Sequence, residues 1–252
     1  MSGHSKWSTI KHKKAAKDAR RGKTWAKLIR QIEVAARGAG TGDPEASPSL
    51  ALAVQKAKDA EVPKDTIERA CKRGAGELEG AAAYEPAQYE GYASGGVAVL
   101  VDVLTDNRNR TAADVRSAFT KSGGSLAEPG SVAFLFTRRG RVLLPKAGAD
   151  EDELMLVGLE AGMEDLEADS ETYTAWCDPS DVADLRAALE QAGFEVQESG
   201  STMVPASTVP IAEVSEAKKV LRLLDDLDDN DDVQDVYANF DIPEDLLEDL
   251  EA

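Results

Sequence analysis

The sequence predicts an α+β protein with a small all-helical module at its N-terminus. Three observations carry that expectation. Apolar residues recur at helical spacing up to about residue 76 and then change period. Beyond residue 80, short strand-like runs alternate irregularly with helical ones across short connections, which favours mixed sheets over a doubly wound parallel sheet. Charge is segregated as well: residues 1–37 hold 11 Lys and Arg against 2 acids, whereas 138–252 hold 8 against 31. A cationic head on an anionic body cannot lie flat on a polyanion and must present one end.

Each element has a local reason. Trp7 and Ile10 are too isolated to build a core, so the chain reads as an extended arm to about residue 10, with a helix beginning in the Ala/Lys stretch. Trp25, Leu28, Ile29, Ile32 and Ala36 follow helical spacing as far as Gly38, and a Gly/Pro/Asp linker runs to Ser47. Ser47-Pro48 is a cap followed by proline at the first helical position, with Leu50, Val54 and Ala57 on one face. Val62-Pro63 opens a third helix with Ile67, Ala70 and Cys71 inward and Gly74 as its stop. Strands are expected at 89–92, 97–105, 132–137, 141–145, 173–177 and 233–240, with extended chain at 194–197. Helices are expected after the 106–111 turn, at 150–161, after Pro179-Ser180 and at 212–227, and residues 243–252 read as a frayed acidic tail.

Composition narrows the function classes. The chain has 252 residues, 42% hydrophobic, with a formal net charge of -18, enough for two or three domains and a real core. Its longest apolar runs fall far short of the ~20 residues a membrane span needs. No apolar segment follows the charged N-terminus, and the only cysteines, Cys71 and Cys177, lack CxxC spacing. A cytoplasmic protein with no membrane partner is expected.

The search for chemistry returns little. Gly22-Lys23-Thr24 resembles the tail of a phosphate loop, but position 17 is Lys where that motif wants Gly. The acidic run 225–232 fails as a calcium loop, having Asp231 at the glycine position and Tyr237 at the twelfth, and reads as a solvated helix end. His4 and His12 are too few for a closed metal site. Nothing asks to be an active site, so no enzyme, cofactor or metal is expected.

Two segments rise above this background. In the arm, Lys6, Lys11, Lys13, Lys14, Lys17, Arg20, Arg21 and Lys23 surround Trp7, with His12 as a further donor. Cations bind phosphate without regard to sequence, and an exposed indole stacks on an unpaired base. The alternatives are a solubilising tail or a transit peptide. The second segment is Asn107-Arg-Asn-Arg-Thr111, between a buried strand and a helix. There a helix start favours anions, and Arg108 and Arg110 would repel each other unless an anion joined them. The alternative is a capping turn with surface arginines.

The same segments carry a resemblance. Gly3-His-Ser-Lys-Trp7, Ile10-Lys-His-Lys-Lys-Ala-Ala16, Arg21-Gly-Lys23, Lys27-Leu-Ile-Arg30 and Pro63-Lys-Asp-Thr-Ile-Glu-Arg-Ala70 resemble the YebC/PmpR family. So do Tyr89-Glu-Gly-Tyr92, Gly95-Gly-Val-Ala-Val99, Leu104-Thr-Asp-Asn-Arg-Asn-Arg-Thr111 and Gly130-Ser-Val-Ala-Phe134. The resemblance extends to about residue 240, is loose over 144–177, and excludes the acidic tail. It implies three domains: the basic arm and helical module at 1–80, a central α+β domain at 81–137 and 203–252, and an inserted α+β domain at 138–202. It also implies a non-enzymatic, nucleic-acid-binding regulator of gene expression, labelled in the family as a DNA-binding transcriptional regulator. Relatives that include a mitochondrial translational activator of cytochrome oxidase imply the alternative: a ribosome-associated translation factor that binds ribosomal RNA and relieves stalling at stretches such as proline runs. The residues themselves show no convincing base-reading helix and no dimerisation heptads, so a monomer is expected. An arm with one stacking aromatic suits an RNA crevice better than a DNA groove.

Overall fold

The computed structural model of the protein describes residues 17–80 and 83–243, with side chains from residue 21 onward. The arm with Lys6, Trp7, Lys11, His12, Lys13 and Lys14, and the tail 244–252, lie outside the described residues.

The described residues open with three helices, α1 (Lys17–Ala39), α2 (Pro48–Asp59) and α3 (Lys64–Gly74). The cap expected at the start of α2 is present, with the Ser47 side chain accepting from Leu50 N at 3.4 Å and Pro48 in the first turn. Ile32, Ala36, Leu50, Val54, Ala57, Ile67, Ala70 and Cys71 form one apolar core. Gly74 ends its helix as expected and has a second role. A Cβ there would lie 2.4 Å from Glu33 O and 2.7 Å from Ala36 Cβ, so Gly74 is where α3 crosses α1, and the left-handed residue is Gly76, with φ +81.

The mixed region begins with β1 (Glu85–Tyr92), β2 (Ala98–Thr105), α4 (Arg108–Lys121) and β3 (Ser125–Leu126). It continues through β4 (Phe136–Pro145), α5 (Glu151–Glu160), β5 (Met163–Ala168), β6 (Thr172–Cys177), α6 (Val182–Gln191) and β7 (Glu198–Pro205). Last come β8 (Val209–Pro210), α7 (Val214–Asp228), β9 (Val233–Ala238) and β10 (Phe240–Asp241). Two four-stranded antiparallel sheets result, ordered β3-β1-β2-β9 and β5-β6-β4-β7, and β8 and β10 form a short parallel pair. This is the mixed α+β architecture the sequence predicts.

In the first sheet, β2 is buried on both faces. Val97, Val99, Val101 and Val103 pack under α4 and α7 with Val115, Phe119, Val220, Leu224 and Leu227. Ala98 and Leu100 point the other way, onto Val132, Phe136 and Tyr237. Each such fully buried side chain is worth roughly 1.5–3 kcal/mol. In the second sheet, α5 and α6 cover one face, where Val142, Leu144, Leu154, Tyr173, Ala175, Leu185 and Leu189 meet.

Three details differ from expectation. Residues 133–135 form a 3₁₀ turn rather than a strand, because the buried Glu90 carboxylate accepts from Gly130 N, Val132 N and Ala133 N at 2.6–2.8 Å and bends the chain. The remainder of that expected strand, 136–137, runs on without a break into the one expected at 141–145, forming the single strand β4. Both β5 and β7 escape sequence reading because they are edge strands and need no apolar alternation. Gly200 of β7 lies against α2, where a Cβ would meet Lys56 Cε at 2.5 Å.

Candidate nucleic-acid interface

Lys23 of the first candidate segment and Arg110 of the second both reach one acidic stretch. Lys17 and Arg20 fall near the start of α1. The guanidinium of Arg21 binds Glu61 Oε2 at 3.0 Å and lies over the Trp25 ring, whose Nε1 donates to Ala60 O. The next cations along one face of α1 reach residues 228–232, which run from the last residue of α7 into the loop after it. Lys23 Nζ binds Asp229 Oδ1 at 3.0 Å, and Lys27 Nζ binds Asp228 O at 2.8 Å and Oδ1 at 3.1 Å. Arg30 donates to Asp231 O, lies 3.7 Å from Asp232 Oδ1 and stacks over Tyr84. Positions 23, 27 and 30 share a helix face, so a single rigid edge of the N-terminal module meets the loop.

The 106–111 turn approaches the same loop from the first sheet. Asn107 caps α4 by accepting from Arg110 N at 3.1 Å. Arg110 Nη2 binds Asp232 Oδ2 at 2.7 Å and Asp106 Oδ1 at 2.9 Å. Arg108 Nε binds Glu85 Oε2 at 3.1 Å, and its Nη2 donates to Pro86 O. The anions beside these two arginines are therefore the chain's own carboxylates.

Asp232 is the hub. Its side chain is only 7% exposed, and Oδ2 also accepts from Thr111 at 2.7 Å and Thr105 at 3.3 Å, both buried threonines. Burial alone would raise its pKa, but the hydrogen bonds from Arg110 and Thr111 and the charges of Arg110 and Arg30 hold it below the ordinary Asp value. Asp232 thus ties α1, the end of β2 and the start of α4 to the loop after α7.

The sequence does not single out Lys27, Arg30, Asp228, Asp229 and Asp232, and the acidic run expected to be a solvated helix end is instead engaged by these cations. The one available signal was charge complementarity between two runs about 200 positions apart. Elsewhere, burial pushes the Cys71 thiol up, and burial with the charges of Asp181, Glu164 and Asp178 pushes Cys177 up to about 11. Neither is a poised nucleophile. Among the described residues no group of three or more His, Cys, Asp or Glu could hold a metal ion, and no helix is long and apolar enough to cross a membrane.

Two family models match nearly the whole chain. The TACO1/YebC protein N-terminal domain matches residues 5–77, and the TACO1/YebC second and third domain matches residues 84–240. A "probable transcriptional regulatory protein" of Thermobifida fusca is 54% identical over 247 residues, 98% of each chain. One of the same name from Rubrobacter xylanophilus is 55% identical, covering 99% of each chain. The crystal structure of a conserved hypothetical protein from Aquifex aeolicus superposes with a TM-score of 0.82 at 46% identity, covering 92% of this chain and 95% of that one.

Proposed function

The chain belongs to the TACO1/YebC family, and from that premise we propose that it is a non-enzymatic, nucleic-acid-binding regulator of gene expression in the cytoplasm. Its N-terminal module makes the main contact. We take the chain as three units: 1–80, 81–137 with 203–252, and the inserted 138–202. The relatives' name supports gene regulation as the level of action.

The distribution of charge about α1 carries the reading. Within α1, Arg21 pairs with Glu61, and Lys23, Lys27 and Arg30 turn to the acids at 228–232. The basic residues at positions 6–20 precede that dock, in a stretch whose single acid is Asp18. A cationic run at one end of an anionic molecule approaches a polyanion end-on. DNA is the target that the relatives' name supports. Trp7 within the run favours a second reading, ribosomal RNA, because an indole stacks on unpaired bases. Duplex-DNA affinity compared with co-sedimentation on ribosomes separates the two.

If Lys11, Lys13, Lys14, Lys17, Arg20 and Arg21 each neutralise a phosphate, duplex affinity falls with a log–log salt slope of about -5, and a single-stranded target gives about -4. Replacing all six by Gln abolishes binding, and the Tm falls only by what the exposed Arg21–Glu61 pair contributes. Binding that survives the replacement, or a slope near zero, removes the arm as the contact.

Arg108 and Arg110 form a second, weaker contact in this reading. The double alanine variant lowers affinity at least tenfold, as expected for charge-assisted bonds of roughly 1.5–3 kcal/mol each. It also lowers the Tm, because Asp232 loses a partner. A lower Tm with normal binding of the folded fraction confines the turn to a structural role.

A further inference from the structure

The inserted region carries a surface that nucleic-acid binding leaves unused. Helix α5 buries Leu154 and Gly158 against the second sheet, while Met155, Leu156 and Leu159 face outward, 38%, 64% and 57% exposed. Positions 152, 155, 156 and 159 fall together on the outward side of a helix, so the three apolar residues form one stripe with Asp152 at its end. Glu153 and Glu160 are exposed beside them, and the adjacent edge strand β5 exposes Asp165 and Glu164, the latter already paired with Arg139 at 3.1 Å. Residues 147–171 contain ten acids and not one Lys or Arg.

That setting selects the occupant. A nucleic acid or an anionic bilayer is repelled by so dense a run of carboxylates. A second copy of the chain would set the same acids face to face with no base to answer them. The acidic residues 244–252 are excluded on the same ground. The chain's own arm has the right charge, but Trp7 and Ile10 are its only large apolar side chains after Met1, too few to cover the stripe.

We propose that the outward face of α5 is a docking surface for a cationic amphipathic helix of a protein partner, whose apolar side chains cover Met155, Leu156 and Leu159 while its Lys or Arg residues pair with the rim of acids. The contact is helix against helix, with apolar burial supplying affinity and the rim supplying selection by sign. It stands independently of the nucleic-acid reading, since it lies on a different unit and uses charge of the opposite sign.

The test uses the full-length protein and a synthetic 14-residue Leu/Lys peptide with its leucines on one helix face. Two controls accompany it: a scrambled peptide of identical composition and a Leu/Glu analogue. Fluorescence anisotropy gives the affinity, and hydrogen exchange maps where the peptide protects the chain. The amphipathic peptide protects residues 151–160, the scrambled peptide binds at least tenfold more weakly, and the Leu/Glu analogue does not bind. Leu156→Ser with Leu159→Ser, both exposed and therefore neutral for the fold, weakens binding at least tenfold at unchanged Tm. Equal binding by wild type and variant, or protection spread over the acidic surface, overturns the proposal in favour of unspecific attraction. Faster exchange at 151–160 after deletion of residues 1–16 also overturns it, since the stripe would then be covered by the chain's own arm.

Discussion

Asp232 gathers Arg30, Arg110, Thr105 and Thr111, which come from two stretches far apart in the chain, α1 and residues 105–111. Asp232→Asn keeps the shape, removes the charge and turns one acceptor into a donor facing donors. We expect a loss of about 1–2 kcal/mol, with partial exposure of Arg110 and Arg30 keeping the figure modest. Folding lowers the pKa of Asp232, so the native state binds fewer protons there than the unfolded chain. The stability it contributes is complete above the ordinary Asp range, near 4, and is lost as pH falls through the lower folded value. Denaturant titrations of wild type and variant should therefore differ by a constant amount above about pH 5 and converge at lower pH. A gap that widens in acid would show that Asp232 is not ionised in the native protein.

Helix α2 shows how a short element can serve two cores. Its inward face fills the N-terminal module, while Leu52 packs against the core of the second sheet. Asp59 closes the contact: Arg186 of α6 binds both its oxygens, at 2.6 and 2.9 Å, with side chains only 13% and 11% exposed. Arg186 also donates to Ser199 Oγ and pairs with Glu190. A planar two-point bond of this kind is the geometry Lys cannot supply. We predict that Asp59→Ala alone costs roughly 3 kcal/mol by leaving a mostly buried guanidinium short of a partner. In a double-mutant cycle, Arg186→Ala on that background should add little, giving a coupling of about 1–3 kcal/mol, and strict additivity would count against the bidentate bond. The contrast between α2 and its contacts explains what the sequence makes legible. Ser47-Pro48, Asn107 and Asp150 announce helix starts because a cap acts within three residues. Arg186–Asp59 and Lys27–Asp228 join residues too distant for any local signal, and surface acids are so numerous that pairing by sign alone picks out no partner. Of the candidate interface, Lys23 and Arg110 are legible by type, but Lys27, Arg30 and the acids that engage all four are not.

The molecule as a whole joins its first sheet across its entire later sequence. β2 pairs with β1 on one side, where Tyr92 meets Ala98, and with β9 on the other, where Val99 meets Ala238. Everything from β4 to β7 intervenes, and within it β5 and β6 form a close hairpin with Ala168 opposite Tyr173. During synthesis, then, an apolar strand buried on both sides in the finished protein waits with a bare edge while about half the chain is still being made. Pairing so distant in sequence is slow, because the loop must close before contacts reward it. The intervening sheet can form first from nearer strands, and its β4 and β7 then bring the end of the chain close to β2. Pulsed hydrogen exchange during refolding should protect amides of β5 and β6 before those of β2 and β9, and simultaneous protection would argue for one cooperative step. The insertion in the middle of the first sheet thereby sets an order of assembly, in which a strand made near the end of synthesis seals the interval most open to aggregation.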